Sequence, residues 1–230
     1  MSTICSYTTR CILCGNESKH ERISSYSLFG YPDLDFRPQA MYRETMDYWV
    51  QECPNCGYVN TQLDKPCDLP KEKILNIYNK IESAFDWKKS YAVRFAKLGA
   101  MLVNSGDSFG AAEQFLRVAW VFDDDKNENE ATFWRKMAIE YTGLPIALLL
   151  QNNLPEEMVC VYMDILRRTG NFKGVLKMDE MKLHTDLYIN LIKYQKELSE
   201  QGDSTAHTLG DNEDVRVFAE KYNGGMFFMM

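Results

Sequence analysis

Four cysteines carry the most chemistry in this chain. They stand as two pairs, Cys11 and Cys14 in RCILCGN and Cys53 and Cys56 in QECPNCGY, each pair followed at once by glycine. Two intervening residues let both sulfurs of a pair face one ion from a tight turn, and the glycine can leave that turn at positive φ. Amides within the turn can donate to the thiolates and hold their charge. Pro54 restricts the second turn further. Together the two turns supply the four sulfurs of a closed tetrahedral site, and zinc is the ion that such a donor set fits. A closed set leaves no position for water or substrate, so the expected role is structural. The ion would replace a core that about 65 residues could scarcely assemble unaided. The competing chemistry is a thioredoxin-like redox pair. That motif opens a helix after a strand, whereas MDYWVQECPNCGYVN places strand-forming residues on both sides of the turn. Cys5 and Cys67 flank the region without a partner at this spacing, and either could replace a ligand. Cys160, in MVCVYMDIL, reads as a small core residue.

Other groups in the stretch between the pairs allow weaker readings. Asp33 and Asp35 in YPDLDFRP stand two apart, as a second metal site or an acid/base pair would require. The simpler reading is a turn around Pro32 whose acids cap amides or pair with Arg37 or Arg43. Lys19, Arg22, Tyr26, Phe29 and Tyr31 could form an aromatic and basic surface on which nucleic-acid bases stack. His20, in ESKHER, reads as a surface residue. The sequence contains no GxGxxG, GxxxxGK[ST] or HExxH, and no histidine has an evident nucleophile beside it.

Composition narrows the classes. The 230 residues are 45% hydrophobic and carry a net charge of −7. Neither the first 67 residues nor the remainder has the basic balance that phosphate-backbone affinity needs, so nucleic acid is disfavoured as a partner. No apolar run approaches 18 residues; the longest, LPIALLL at 144–150, is too short for a bilayer. The N-terminus lacks the pattern of a secretory signal, and the cysteine spacing is not that of a disulfide scaffold, so a cytoplasmic protein is expected.

The elements that must position these groups change character after DKPCDLP, where Pro66 and Pro70 bracket a boundary. Three segments follow: a zinc-ribbon-like β domain over 1–68 with an aromatic-rich insert, a helical domain over 69–201, and a polar linker, short helix and apolar MFFMM tail over 202–230. In KEKILNIYNKIESAF, Ile74, Ile77, Tyr78, Ile81 and Phe85 share one helical face. In the following passage Phe95, Leu98, Gly99 and Leu102 lie on one helix, Gly106-Asp107 make a turn, and Ala111, Phe115 and Val118 lie on the next. Gly99 and Ala111 would let the two helices approach while Phe95, Leu102 and Phe115 fill the seam, an arrangement that resembles a tetratricopeptide (TPR) repeat. A weaker copy, with its turn at Gly170-Asn171, occupies 156–181. A TPR module that clamps terminal carboxylates places lysine and asparagine where this chain has Ala96 and Ala100, so that mode is absent. MKLHTDLYINLIKYQKELSEQ at 181–201 reads as a further helix.

The N-terminal CxxC, the acidic-aromatic YPDLDFRP, the run Y…WV.ECPNCGY and the TPR-like helices together resemble a bacterial family of unknown function, with a zinc-ribbon-like head and a helical body. The resemblance implies zinc at the four cysteines and implies no reaction. The fold class expected is α+β. The expected function is that of a non-enzymatic, zinc-bearing adaptor whose helices bind a protein or peptide. The alternatives are a nucleic-acid-associated zinc-ribbon factor, or a hydrolase or redox enzyme using Asp33/Asp35 or the CxxC pairs.

Overall fold

The computed structural model describes residues 2–27, 29–85, 87, 89–142, 155–180 and 183–222. The expected LPIALLL run and MFFMM tail lie outside the described residues. The fold is α+β, with two small antiparallel hairpins near the N-terminus and a largely helical remainder. Strand β1 (Thr3–Arg10) pairs with β2 (Glu17–Ser25) from Arg10 opposite Glu17 to Thr3 opposite Ser25. Strand β3 (Gln51–Glu52) pairs with β4 (Val59–Asn60). The helices are α1 (Ala40–Arg43), α2 (Lys71–Ala84), α3 (Ser90–Ser105), α4 (Ser108–Asp124), α5 (Glu128–Thr142), α6 (Glu156–Arg168), α7 (Phe172–Leu176), α8 (Asp186–Glu200) and α9 (Glu213–Tyr222).

Two compact units divide these elements. The first comprises Met1–Leu28 and Met41–Gly143, and so holds both hairpins and α2 to α5. Each helix from α3 to α5 packs on the one before it. At the α3–α4 seam Phe95, Ala111 and Phe115 are buried as their spacing predicts. A Cβ on Gly99 would sit 2.7 Å from Cε1 of Phe115, so only a hydrogen fits there. On α2, Ile74 and Tyr78 are fully buried, while Ile77, Ile81 and Phe85 are half-buried.

The second unit comprises Phe29–Ala40 and Leu144–Met230. Its core gathers Val159, Met163 and Leu166 of α6 with Leu187 and Leu191 of α8, plus Leu34, Leu209 and Val215. Cys160 is completely buried among them, as its apolar context suggests. The YPDLDFRP segment is hydrogen-bonded into this unit: Leu34 N donates to His207 O at 3.0 Å and Leu209 N to Pro32 O at 2.9 Å. Arg167, with none of its surface exposed, donates to the carbonyls of Asp203 and Thr205 at 2.9 and 2.8 Å and to Asp164 Oδ1 at 2.6 Å. A buried guanidinium is tolerable when both terminal nitrogens are met in this way.

One turn device recurs. Gly106 ends α3 at φ +87°, and the Asp107 side chain then caps α4 by accepting from Gly110 N. Gly170 and Asn171 repeat it between α6 and α7, with Asn171 accepting from Gly174 N. Left-handed glycine followed by an Asx cap satisfies both helix ends at once. The second copy stops short: α7 is five residues long and passes into a 3-10 turn at Lys177–Glu180.

Candidate metal centre

Each cysteine pair forms the turn of a hairpin, the first joining β1 to β2 and the second joining β3 to β4. Their backbones repeat bond for bond. Cys11 N donates to Asn16 O at 2.9 Å and Gly15 N to Cys11 O at 2.8 Å; Cys53 N donates to Tyr58 O at 2.8 Å and Gly57 N to Cys53 O at 2.9 Å. Gly15 and Gly57 stand at φ +73° and +70°, in the left-handed region where a side chain would be strained. A hairpin on both sides, rather than a helix after the pair, is the context the sequence predicts for a metal knuckle and not for a thioredoxin-like motif.

The two turns face one another, so that all four sulfurs lie within 4.8 Å of each other. Cys11 Sγ is 3.7 Å from Cys56 Sγ, and Cys14 Sγ is 3.7 Å from Cys53 Sγ. A tetrahedral zinc ion with four sulfurs at ~2.3 Å needs sulfur–sulfur edges of about 3.8 Å, so the donor set has the right size as well as the right chemistry. Those separations are far beyond the ~2.05 Å of a disulfide, and all seven cysteines are free thiols. Cys11 and Cys53 are buried, while Cys14 and Cys56 are half-buried at the rim. Among the described residues no other group of three or more His, Cys, Asp or Glu side chains is close enough to share an ion. Cys5 and Cys67 stay outside the cluster.

The electrostatics of the thiols differ within the first turn. Asn55 Nδ2 lies 3.5 Å from Cys14 Sγ, and with the Asn16 amide it draws the Cys14 pKa down to about 6. Burial pushes the Cys11 and Cys56 thiols up, Cys56 well above the usual thiol range. Amides of Leu13 and Cys14 oppose the rise at Cys11, and that of Tyr58 opposes it at Cys56. Such donation holds thiolate charge on a ligating sulfur.

Side chains that the sequence did not single out fix the second turn. Lys97, on the apolar side of α3, places its ammonium 2.7 Å from Glu52 Oε1 and 2.5 Å from Glu82 Oε1, and 5.4 Å from the Tyr78 ring centre. The Tyr78 hydroxyl donates to Val59 O at 3.4 Å and accepts from Val59 N at 3.3 Å. A lysine between Phe95 and Leu98 was the available sequence signal for this role.

The remaining candidates separate. Asp33 and Asp35 are buried in the second unit, and Asp35 Oδ1 accepts from Arg37 N at 3.1 Å, the amide-capping alternative. Lys19 and Arg22 stand three apart on β2, and so project to opposite faces. Arg22 lies over the Tyr7 ring at 5.0 Å. Tyr26 stacks on Tyr42 with ring centres 4.3 Å apart. Phe29 and Tyr31 belong to the second unit, where the Tyr31 hydroxyl donates to Glu220. Lys19 lines a polar cleft of about 420 Å³ together with Glu21, Asp47 and Arg94, so the field there is mixed rather than basic. His20 departs from its surface reading. It is half-buried, with Nε2 bonded to Ser18 Oγ at 2.8 Å and Nδ1 to Gln51 Oε1 at 3.1 Å.

Comparison with known proteins adds a family and no activity. The model of a family described as an uncharacterised protein conserved in bacteria (DUF2225) matches residues 4–178, and the chain belongs to that family. No curated protein and no solved structure matches the chain.

Proposed function

We propose that the four cysteines of this bacterial-family protein bind one structural zinc ion, and that the chain is a non-enzymatic cytoplasmic adaptor whose TPR-like helices hold a protein or peptide segment. The observation that carries the metal assignment is the pair of superposable hairpin turns, which bring four sulfurs to tetrahedral spacing. Such a set is coordinatively closed, so the ion's task is to hold two turns together rather than to activate water. Reduced thiols, rather than disulfides, fit a reducing compartment. No helix among the described residues is long and apolar enough to cross a membrane. Support for the adaptor role comes from the consecutive antiparallel helices α2 to α5 and the close Gly99–Phe115 seam. Successive helix pairs of that kind build the extended surfaces on which repeat proteins bind segments of other chains.

Elemental analysis of the purified protein tests the first half. One zinc per chain is expected, with Cys11, Cys14, Cys53 and Cys56 reacting with thiol reagents only after chelation. Substoichiometric metal with freely titrating thiols would overturn it. Affinity capture from a bacterial host with mass spectrometry tests the second half. The expected result is a protein partner retained at moderate salt; recovery of nucleic acid alone, lost steeply as salt rises, would replace the adaptor reading by the nucleic-acid one.

A further inference from the structure

The second cysteine turn is built into the helical body in a way that the first is not. Glu52 immediately precedes Cys53, and Val59 follows Cys56 by three residues. These two residues are the ones that α2 and α3 grip. Lys97 sits in the apolar seam of α3, with its side chain only 3% exposed. An ammonium there is tolerable only while carboxylates face it. Its two partners come from different elements, Glu52 from β3 and Glu82 from α2. Tyr78 of α2 does the same with neutral groups, its hydroxyl meeting both polar atoms of Val59 and standing 3.5 Å from Met101 Sδ of α3. Arg94 of α3 adds a bond to the Val50 carbonyl at 2.8 Å, just ahead of β3. The positions of the second turn and of the α2–α3 pair are therefore mutual conditions.

The turn in its own right depends on what its sulfurs hold. An ion held by all four sulfurs would tie Cys53 and Cys56 to Cys11 and Cys14 through bonds of ~2.3 Å, across the 3.7 Å approaches that the two turns already make. Loss of the ion releases that constraint at Cys53 and Cys56. Glu52 then moves with its neighbour, leaving the buried Lys97 with Glu82 alone, and Val59 leaves the Tyr78 hydroxyl.

We infer that ion occupancy of the four-sulfur cluster is coupled to the packing of α2 against α3, with Lys97 and Tyr78 as the positioning residues that transmit it. The helical body stiffens when the ion binds and loosens when it leaves. The inference rests on the metal reading above. Coupling of this kind is reciprocal, so weakening the grip must lower the affinity for the ion by the factor through which the ion tightens the helices. A lysine that merely filled space would produce no such symmetry.

The test uses the full chain. Amide hydrogen exchange is followed by mass spectrometry in zinc-loaded and chelated protein, over residues 71–84 and 90–105, with 186–200 as the reference helix. Metal content and zinc affinity, the latter by competition with a chromogenic chelator, are measured for wild type, Lys97→Met and Tyr78→Phe. Chelation is expected to speed exchange in 71–105 at least tenfold and to leave 186–200 unchanged. Each variant is expected to bind one zinc with affinity lowered about five- to tenfold. Tyr78→Phe keeps the ring, and so serves if Lys97→Met fails to fold. Zinc that leaves without changing exchange in 71–105, or variants of unaltered affinity, would overturn the coupling alone. Absence of zinc from the wild type would overturn the coupling and the metal reading together.

Discussion

At Cys11–Cys14 and at Cys53–Cys56 the chain makes the same turn with the same backbone bonds, yet the two turns live in different surroundings. The first ends a hairpin whose residues are exposed or half-buried throughout. It is tied back by Ile12 N to Leu63 O at 2.9 Å and by Arg10 Nε to Gly15 O at 3.2 Å. The second is gripped by Lys97, Tyr78 and Arg94 from two helices. The thiols divide differently, within the first turn: Cys14 is drawn down to about 6, Asn55 of the other turn being the largest cause, while burial drives Cys11 up as it does Cys56. Local sequence dictates how such a turn is shaped, whereas distant residues dictate how stiff and how reactive it is.

Removing a ligand should have the largest effect and act on both turns at once. Cys11→Ser and Cys53→Ser are both expected to lose stoichiometric zinc. Loss of the ion frees the segment that the helices grip in either variant, so both melting temperatures should fall alike, by roughly 5–10 °C, corresponding to about 2–3 kcal/mol. A clearly smaller fall in Cys11→Ser would show that the second turn keeps its grip without the ion. Next come the two arginines behind the turns. Arg94→Met deletes a half-buried donor to Val50 O and should cost about 1–3 kcal/mol in urea unfolding, while Arg10→Met, at an exposed site, should stay within ~0.5 kcal/mol. A comparable loss from both would show that the first turn is braced as firmly as the second. The glycines test the sameness instead. Gly15→Ala and Gly57→Ala each force a Cβ into the left-handed region, and each should cost about 1 kcal/mol with no difference between them. Thiol chemistry gives the smallest effect. In chelated protein at pH 7, above the Cys14 pKa of about 6, Cys14 is mostly thiolate and should alkylate first, with Cys56 last. Lowering the pH to 5 protonates Cys14 and slows it, and Asn55→Ala should slow it about threefold at pH 7.

What could be read from the sequence was what local rules govern. The cysteine spacing, the glycines after each pair and the strand-forming residues beside Cys53 define the hairpin turns with no help from elsewhere. The Gly99–Phe115 seam was legible for the same reason, since periodicity over two adjacent helices places both residues. The Gly106-Asp107 and Gly170-Asn171 turns announce themselves through residue type. Three features were out of reach. YPDLDFRP pairs with residues 207–209, and nothing in its composition names a partner so far along the chain. Lys97 stands out in sequence only by its place between Phe95 and Leu98, and its partners Glu52 and Glu82 come from two other elements that nothing local names. Of the helix expected over 181–201, positions 181–182 lie outside the described residues and the rest forms Asp186–Glu200, because Thr185 is extended and its amide is taken by the Glu156 carboxylate at 3.2 Å, a contact 29 residues away.

The pairing of Leu34 with His207 has a consequence for synthesis. A ribosome delivers the partner strand segment about 170 residues after YPDLDFRP emerges, which at 5–20 residues per second is a delay of roughly 10–30 s. Throughout that interval the nascent chain carries Leu34 and Phe36 uncovered, and the second unit closes only after residues 207–209 have emerged. A message truncated anywhere before codon 207 therefore yields a product with that segment stranded, a natural target for chaperones and proteases.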